Sequence, residues 1–380
     1  MVPNGWENKH LSEIASFSQG IQIPIENQYT FEGQNTCRFL RISDFVYQNE
    51  EPRFIDMPDS KFIVEEDDLS MIRYGSAGAG DLVRGLRGAI ANNLFRVIPN
   101  ELTVSKEYLW VYLRQEKVKD FLFSGSTSST MPAVSFKLVG KVPVAVPPLP
   151  EQRKIAKILS TWDKAISTTE KLIESSKQQK KALMQQLLTG KKRLVNPETG
   201  KAFEGEWKFS QFNELYKVAN NKATQVKSGE YLESGRTPIV DQGKSIVGGY
   251  TNNEITYKDL PVIVFGDHTR IVKWVDFEFA QGADGTQVLK SHKSMDEKFA
   301  YYVLLNTDIP NLGYSRHMRE LKERDFKYPI SKVEQQKIAS VLTAADKEIE
   351  VLETKLAHFK QEKKALMQQL LTGKRRVTLE

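Results

Sequence analysis

The run Lys180-Lys181-Ala182-Leu183-Met184-Gln185-Gln186-Leu187-Leu188-Thr189-Gly190-Lys191 returns letter for letter from Lys363 to Lys374, 183 residues later. The likeness extends toward the N-terminus without a gap. Glu151-Gln152-Arg153-Lys154-Ile155-Ala156 returns as Glu334-Gln335-Gln336-Lys337-Ile338-Ala339, and 25 of the 43 positions from Glu151 to Arg193 match their counterparts. A repeat of this length governs the architecture. In the second copy, Ile338, Leu342, Ala345, Ile349, Leu352, Leu356, Phe359, Leu366 and Leu370 follow the alternating four-three spacing of a coiled-coil seam, with Lys363 in one seam position. The first copy keeps the register with Ile155, Leu159, Trp162, Ile166, Ile173, Leu183 and Leu187, interrupted by Thr169, Ser176 and Lys180. Ser331-Lys332-Val333-Glu334 has capping-box spacing, and Gly190 and Gly373 stand where a left-handed C-cap is wanted. Each copy therefore reads as one helix, a rod of about 58 Å at about 1.5 Å per residue. Two near-identical copies share one job most simply by pairing with each other, antiparallel, about a pseudo-twofold axis.

The rest of the chain falls on either side of the first helix. The expected division is residues 1–150, a first globular domain; 151–193, the first spacer helix; 194–333, a second domain; and 334–376, the second spacer helix. Both globular stretches mix short strands rich in β-branched and aromatic residues with Gly and Pro punctuation and a few helices. The fold class is α+β, two mixed domains separated by the helix pair. The domains echo each other faintly. Trp6, Leu11, Glu13 and Ile14 match Trp207, Phe212, Glu214 and Leu215 at an offset of 201, and Asp68 to Gly75 resembles Asp259 to Gly266 as a buried strand ending in glycine. Elsewhere they diverge, as expected of two modules that read different things.

Composition sets bounds. At 380 residues with 40% hydrophobic content the chain supports two cores. No apolar run suggests a membrane span, the N-terminus lacks a secretory pattern, and the single cysteine, Cys37, suits a reducing cytoplasm. A net charge of +6 favours polyanionic partners without naming one. Catalytic signatures are missing. Gly243-Lys244-Ser245 lacks the earlier glycine of a phosphate-binding loop, because position 238 is Pro238. Gly75-Ser76-Ala77-Gly78-Ala79-Gly80 does not extend to a dinucleotide fingerprint, because position 83 is Val83. The five histidines have no metal-ligand spacing.

The run Pro147-Pro148-Leu149-Pro150-Glu151-Gln152-Arg153-Lys154-Ile155-Ala156 leading into a long helix, with the openings Gly5-Trp6 and Gly205-Glu206-Trp207, resembles the specificity subunits of type I restriction-modification systems. One departure stands at Val333-Glu334, where the second helix lacks the proline-rich entry. The resemblance covers essentially the whole chain. It implies two target-recognition domains that each read half of a bipartite site on double-stranded DNA, helices that set the separation, and two methyltransferase subunits docked beside them. The chain itself would be non-catalytic and hold no cofactor. S-adenosylmethionine belongs to the methyltransferase partner and ATP to a restriction-translocase partner. The competing reading is an interaction protein whose helix pair is a docking rod with no DNA role.

A DNA reader needs cationic and amide groups on loops. In the second domain the candidates are His268, Thr269 and Arg270 after the strand ending at Gly266, and Tyr314, Arg316, His317 and Arg319. In the first they are Arg73, Ser76, Arg84 and Arg87 around the glycine-rich stretch, Ser126 and Thr127 in a serine-rich loop, and Lys137, which opens a helix-like stretch resembling 319–327. The lysines at 177, 180, 181, 360, 363 and 364 are expected on a solvated face of the rod.

Overall fold

Seam spacing and caps set the two longest elements. In this computed structural model the repeats form helices α6 (Leu149–Leu187) and α10 (Lys332–Leu370), 39 residues each, with elements numbered in chain order. The structure describes residues 2–47, 49–75, 78–125, 133–313 and 315–379. Helix α6 starts ahead of Glu151 because a proline in the first turn, Pro150, gives up no helical hydrogen bond. Helix α10 instead uses Ser331, whose Oγ accepts the Glu334 N–H at 3.4 Å. Both end as their glycines require, Gly190 at φ 72° and Gly373 at φ 71°. The Lys192 and Arg375 N–H groups then close on the Gln186 and Gln369 carbonyls at 3.1 Å each.

The chain forms two units, Met1–Thr169 with Lys355–Glu380, and Glu170–Thr354. Each long helix contributes one half to each unit. In the first unit, β1 (Glu7–His10) pairs antiparallel with β10 (Pro143–Val146). One four-stranded sheet runs β2 (Ala15–Gln19), β9 (Leu94–Pro99), β6 (Leu69–Ile72), β7 (Leu82–Val83). The other runs β4 (Arg53–Asp56), β3 (Thr36–Leu40), β8 (Gly88–Ile90), β5 (Ile63–Val64). Short helices α1 (Leu11–Ile14), α2 (Ile42–Val46), α3 (Lys106–Tyr112), α4 (Glu116–Ser124) and α5 (Phe136–Gly140) complete it.

The second unit repeats the plan. Strand β11 (Trp207–Gln211) pairs with β20 (Asp325–Pro329). The sheets run β12 (Tyr216–Val218), β19 (Thr286–Ser291), β16 (Val262–Gly266), β17 (Val272–Val275), and β13 (Gln225–Val226), β18 (Ala280–Gly282), β14 (Thr237–Val240), β15 (Gly249–Thr251). Its short helices are α7 (Phe212–Leu215), α8 (Glu297–Leu305) and α9 (Met318–Lys322). The faint sequence echo at offset 201 therefore lands on matching elements, α1 and α7.

Each core is built against the seam. In the first unit Leu11, Ile14, Phe95 and Tyr108 pack with Ile155, Leu159 and Leu370. In the second, Phe212, Leu215, Phe265 and Phe299 pack with Leu187, Ile338 and Leu342. Burying one such leucine stabilises the fold by about 1.5–3 kcal/mol, so the half-helices are structural members of their units. The pairing is antiparallel in both. In the first unit Trp162 meets Phe359 edge-on at 5.6 Å, and Lys363 Nζ lies 2.5 Å from Asp163 Oδ1. In the second, Lys180 Nζ lies 2.5 Å from Asp346 Oδ1, the same pair moved by 183 with the partners exchanged, and Lys177 meets Glu353 at 2.7 Å. The expectation of a solvated lysine face holds for Lys177, Lys181, Lys360 and Lys364, which are exposed, and is corrected for the other two. Lys180 and Lys363 fill seam positions and are only 17% exposed, because a carboxylate faces each one across the seam. Lys364 reaches Glu116 of α4. Among the described residues no helix is long and apolar enough to cross a membrane.

Candidate nucleic-acid interface

Two buried devices repeat in both units and hold each globular part on its helix start. Gln152 donates from Nε2 to the Thr103 and Pro147 carbonyls at 2.9 and 2.8 Å, and its Oε1 accepts Ser105 N–H at 2.8 Å. Gln335 does the same toward Ser294 O, Pro329 O and Asp296 N at 3.2, 2.8 and 2.6 Å. Ser105 and Asp296 are the N-caps of α3 and α8, so one glutamine fixes a strand end, a helix start and the rod together. The second device is a clamp. The guanidinium of Arg376 grips buried Glu151 through two bonds of 2.6 and 2.7 Å, and that of Arg193 grips buried Glu334 at the same two distances. Trp6 Nε1 also donates to Glu151, at 3.1 Å, whereas Trp207 Nε1 is buried without a partner among the described residues.

At the far end of the strands the second unit gathers four segments. The turn between β16 and β17 carries Asp267, His268, Thr269 and Arg270. Asp267 is buried, its N–H donates to Gly285 O at 2.7 Å, and its carboxylate accepts Met318 N–H at 2.7 Å at the start of α9. His317 is fully buried. Its Nδ1 lies 2.9 Å from Asp267 O and its Nε2 accepts Leu312 N–H at 3.3 Å, which assigns the neutral Nδ1–H tautomer. His268 Nδ1 lies 3.2 Å from Ser315 O, and its N–H donates to Gln242 Oε1 at 3.1 Å. Thr269 Oγ1 donates to Gln242 O at 2.6 Å. Arg270 takes a left-handed conformation, φ 61°, and its Nη1 donates to Ile309 O at 2.8 Å. Beneath, the ammonium of buried Lys273 donates to Asp241 O and Ser245 O at 2.7 and 2.6 Å, and burial pulls its pKa below the usual lysine value. The segments 241–245, 266–270 and 283–286, with the described residues of 309–313 and 315–318, are thus tied into one tip.

The candidates divide accordingly. Arg316 is exposed with no hydrogen bond or ion pair to any described residue, and Thr269 of the β16–β17 turn is exposed as well. His317 is corrected from contact residue to internal pin, since its ring is sealed in by the Asp267 and Leu312 backbone. Arg270 holds the Ile309 carbonyl. Arg319 is exposed and pairs with Glu323 one helical turn on, at 3.1 Å. Tyr314 lies outside the described residues.

In the first unit Arg73 Nη1 donates to Gln19 Oε1 at 3.0 Å, beside a run of amides in which Gln19 Nε2 donates to Asn92 O and Asn92 Nδ2 to Gln22 Oε1 at 3.3 Å. Arg84 is half-buried, and its guanidinium stacks 4.1 Å over Trp110 of α3, where burial lowers its pKa. Arg87 is exposed and forms an ion pair with Glu65 at 3.0 Å. Lys137 is exposed at the start of α5 with no described partner. Ser76, Ser126 and Thr127 lie outside the described residues. Sequence reading passed over the amides Gln19, Asn92 and Gln242 and the lysine Lys273, which carry no local pattern. Gln152 and Gln335 did carry one, identity across the repeat.

A family model described as "Type I restriction modification DNA specificity domain" matches residues 3–177 and 204–361, which is most of the chain and both units. The chain belongs to this family. As a type I specificity subunit it serves target recognition on DNA within a restriction-modification complex and is not the catalytic component. The subunit is 24% identical over 416 residues to the type I restriction enzyme MjaVIII specificity subunit of Methanocaldococcus jannaschii, covering 99% of this chain and 94% of the relative. It is 28% identical over 311 residues to the putative MjaX specificity subunit of the same organism, covering 75% and 72%. Its fold matches the crystal structure of the type I restriction-modification S subunit from M. genitalium with a TM-score of 0.66 at 15% identity, covering 100% of this chain and 99% of that one.

Proposed function

We propose that each globular unit reads one half of a two-part duplex target, that the repeated helices set the distance between the halves, and that two methyltransferase subunits dock on the same chain. One observation carries this reading. The clamp, the glutamine bridge and the seam ion pair recur at an offset of 183, while the tips share almost nothing: Arg73 with Gln19 and Asn92 in one, Asp267, His268 and Gln242 in the other. Equal frames holding unequal tips suit a ruler with two different readers. On the tips, Arg316, Thr269, Arg73 and Lys137 are the contact residues this arrangement favours, the arginines for guanine edges or phosphates. S-adenosylmethionine and ATP belong to the partner subunits, a methyltransferase and a restriction-translocase subunit, and the complex works on DNA in the prokaryotic cytoplasm.

The test is Arg316→Ala in the full chain reconstituted with its modification subunits. The expected result is weakened recognition, by roughly five-fold or more, at the half-site of the second unit, with the other half unchanged. Equal loss at both halves would contradict the two-reader reading.

A further inference from the structure

The loop after β14 combines a rigid support with an oriented and unused donor. Lys273 fixes its carbonyls at both ends, Asp241 O and Ser245 O, and Gly243 N–H closes on Asp241 Oδ1 at 2.8 Å. Gln242 sits in that frame with its backbone carbonyl and its side-chain oxygen both engaged by the 266–270 turn. The orientation of the amide is forced. His268 N–H is a donor, so the atom facing it is Oε1, and Nε2 is turned away with two N–H groups. Nε2 donates to no described residue. The amide lies flat against Gly285, φ 65°, where a Cβ would stand 2.6 Å from Oε1 and 2.7 Å from Nε2. Glycine at 285 is what lets the amide occupy this place. Two exposed cations without described partners belong to the same tip, Lys244 two residues along the loop and Arg316 next to Ser315, whose carbonyl meets His268.

We propose that Gln242 is a specificity-determining residue of the second unit, presenting its Nε2 donors to a hydrogen-bond acceptor on a base edge. Its side-chain oxygen is held by His268, so it matches guanine N7 and O6, adenine N7 or thymine O4, and mismatches the donor amino group of cytosine. Lys244 then meets a phosphate, fixing register without reading sequence, while Arg316 reaches a base edge of the same half-site. This rests on the reading that the tip of the second unit contacts duplex DNA, and the experiment separates the two.

The full chain with its modification subunits is assayed for methyl transfer to duplexes randomised at each position of both half-sites. Gln242→Glu keeps an oxygen for His268 N–H and removes the donors, and Gln242→Met removes both. The expected result is that both variants lose about ten-fold or more of the discrimination at one base pair of the second half-site. The other positions keep the parent preference. If both variants keep the parent preference everywhere while Arg316→Ala alters the second half-site, the assignment of Gln242 is overturned. A uniform loss at all positions overturns it as well. If Arg316→Ala and both Gln242 variants leave the second half-site untouched, the fault lies with the reading of the tip.

Discussion

Removing Arg193 should unfasten the second unit selectively. Glu334 is 1% exposed in its side chain and receives two short bonds from that guanidinium. Arg193→Met deletes both and leaves a buried carboxylate unpaired. Breaking a buried pair from one side costs about 3–5 kcal/mol, and because Arg193 keeps 23% of its side chain in solvent the lower end, about 3 kcal/mol, is expected. Replacing both partners, Arg193→Met with Glu334→Met, removes the stranded charge and should cost about 1 kcal/mol or less, so the second substitution recovers about 2 kcal/mol of the loss. Lys347→Met, which deletes an ion pair whose side chains are each 67% exposed, should cost less than about 0.5 kcal/mol. Hydrogen exchange read by mass spectrometry resolves the outcome. For Arg193→Met, core peptides of the second unit, such as those covering β16 and α8, should exchange about 150-fold faster, with peptides of β6 and β9 in the first unit unchanged. The reasoning is refuted if the double variant is as labile as the single one, or if both units respond equally.

Three further outcomes follow from the same geometry. His317→Ala removes a pin with two hydrogen bonds to backbone and should cost about 1–3 kcal/mol in thermal unfolding, freeing the Leu312 and Asp267 backbone and weakening recognition at the second half-site alone. Burial, with Asp346 nearby, raises the Tyr301 pKa to about 12 from an ordinary value of 10.0, so its stabilising contribution is complete below about pH 10 and is lost as pH climbs toward 12. Urea midpoints measured across that window should fall for the parent chain and fall less for Tyr301→Phe. Inserting four residues after Thr169 in α6, with a matching insertion after Thr354 in α10, where each helix passes from one unit to the other, lengthens the rod by about 6 Å. At about 3.4 Å per base pair the gap between half-sites should widen by one or two base pairs, and an unchanged gap would sink the ruler.

The rod was legible because its signals are local and doubled. A coiled-coil period, a capping serine and a glycine forced into left-handed φ act within one or two turns, so Gly190 and Gly373 mark helix ends without knowledge of the rest. The repeat added what a single helix cannot show, that Gln152 and Gln335, or Glu151 and Glu334, have the same task. The lysines mislead for a related reason. Lys180 and Lys363 look like surface charge until the antiparallel partner supplies Asp346 and Asp163 across the seam. The tips were far less legible. His317 and Arg316 are neighbours in sequence with opposite fates, one sealed under the β16–β17 turn and one in solvent, because the division depends on where Asp267 and Leu312 place their backbone. Arg84 reads as a DNA contact beside glycines and becomes a stacking partner of Trp110, a residue 26 positions away. Gln242 gains its meaning only from His268 N–H and the bare α-carbon of Gly285.

The central claim is that two different readers share one rod, and it is tested most directly by sequencing the methylated positions left on genomic DNA by the chain together with its modification subunits. The account calls for a target of two specified blocks separated by a gap of fixed length and unspecified sequence, with unlike blocks on the two sides. A single contiguous motif, or methylation without sequence preference, would contradict it.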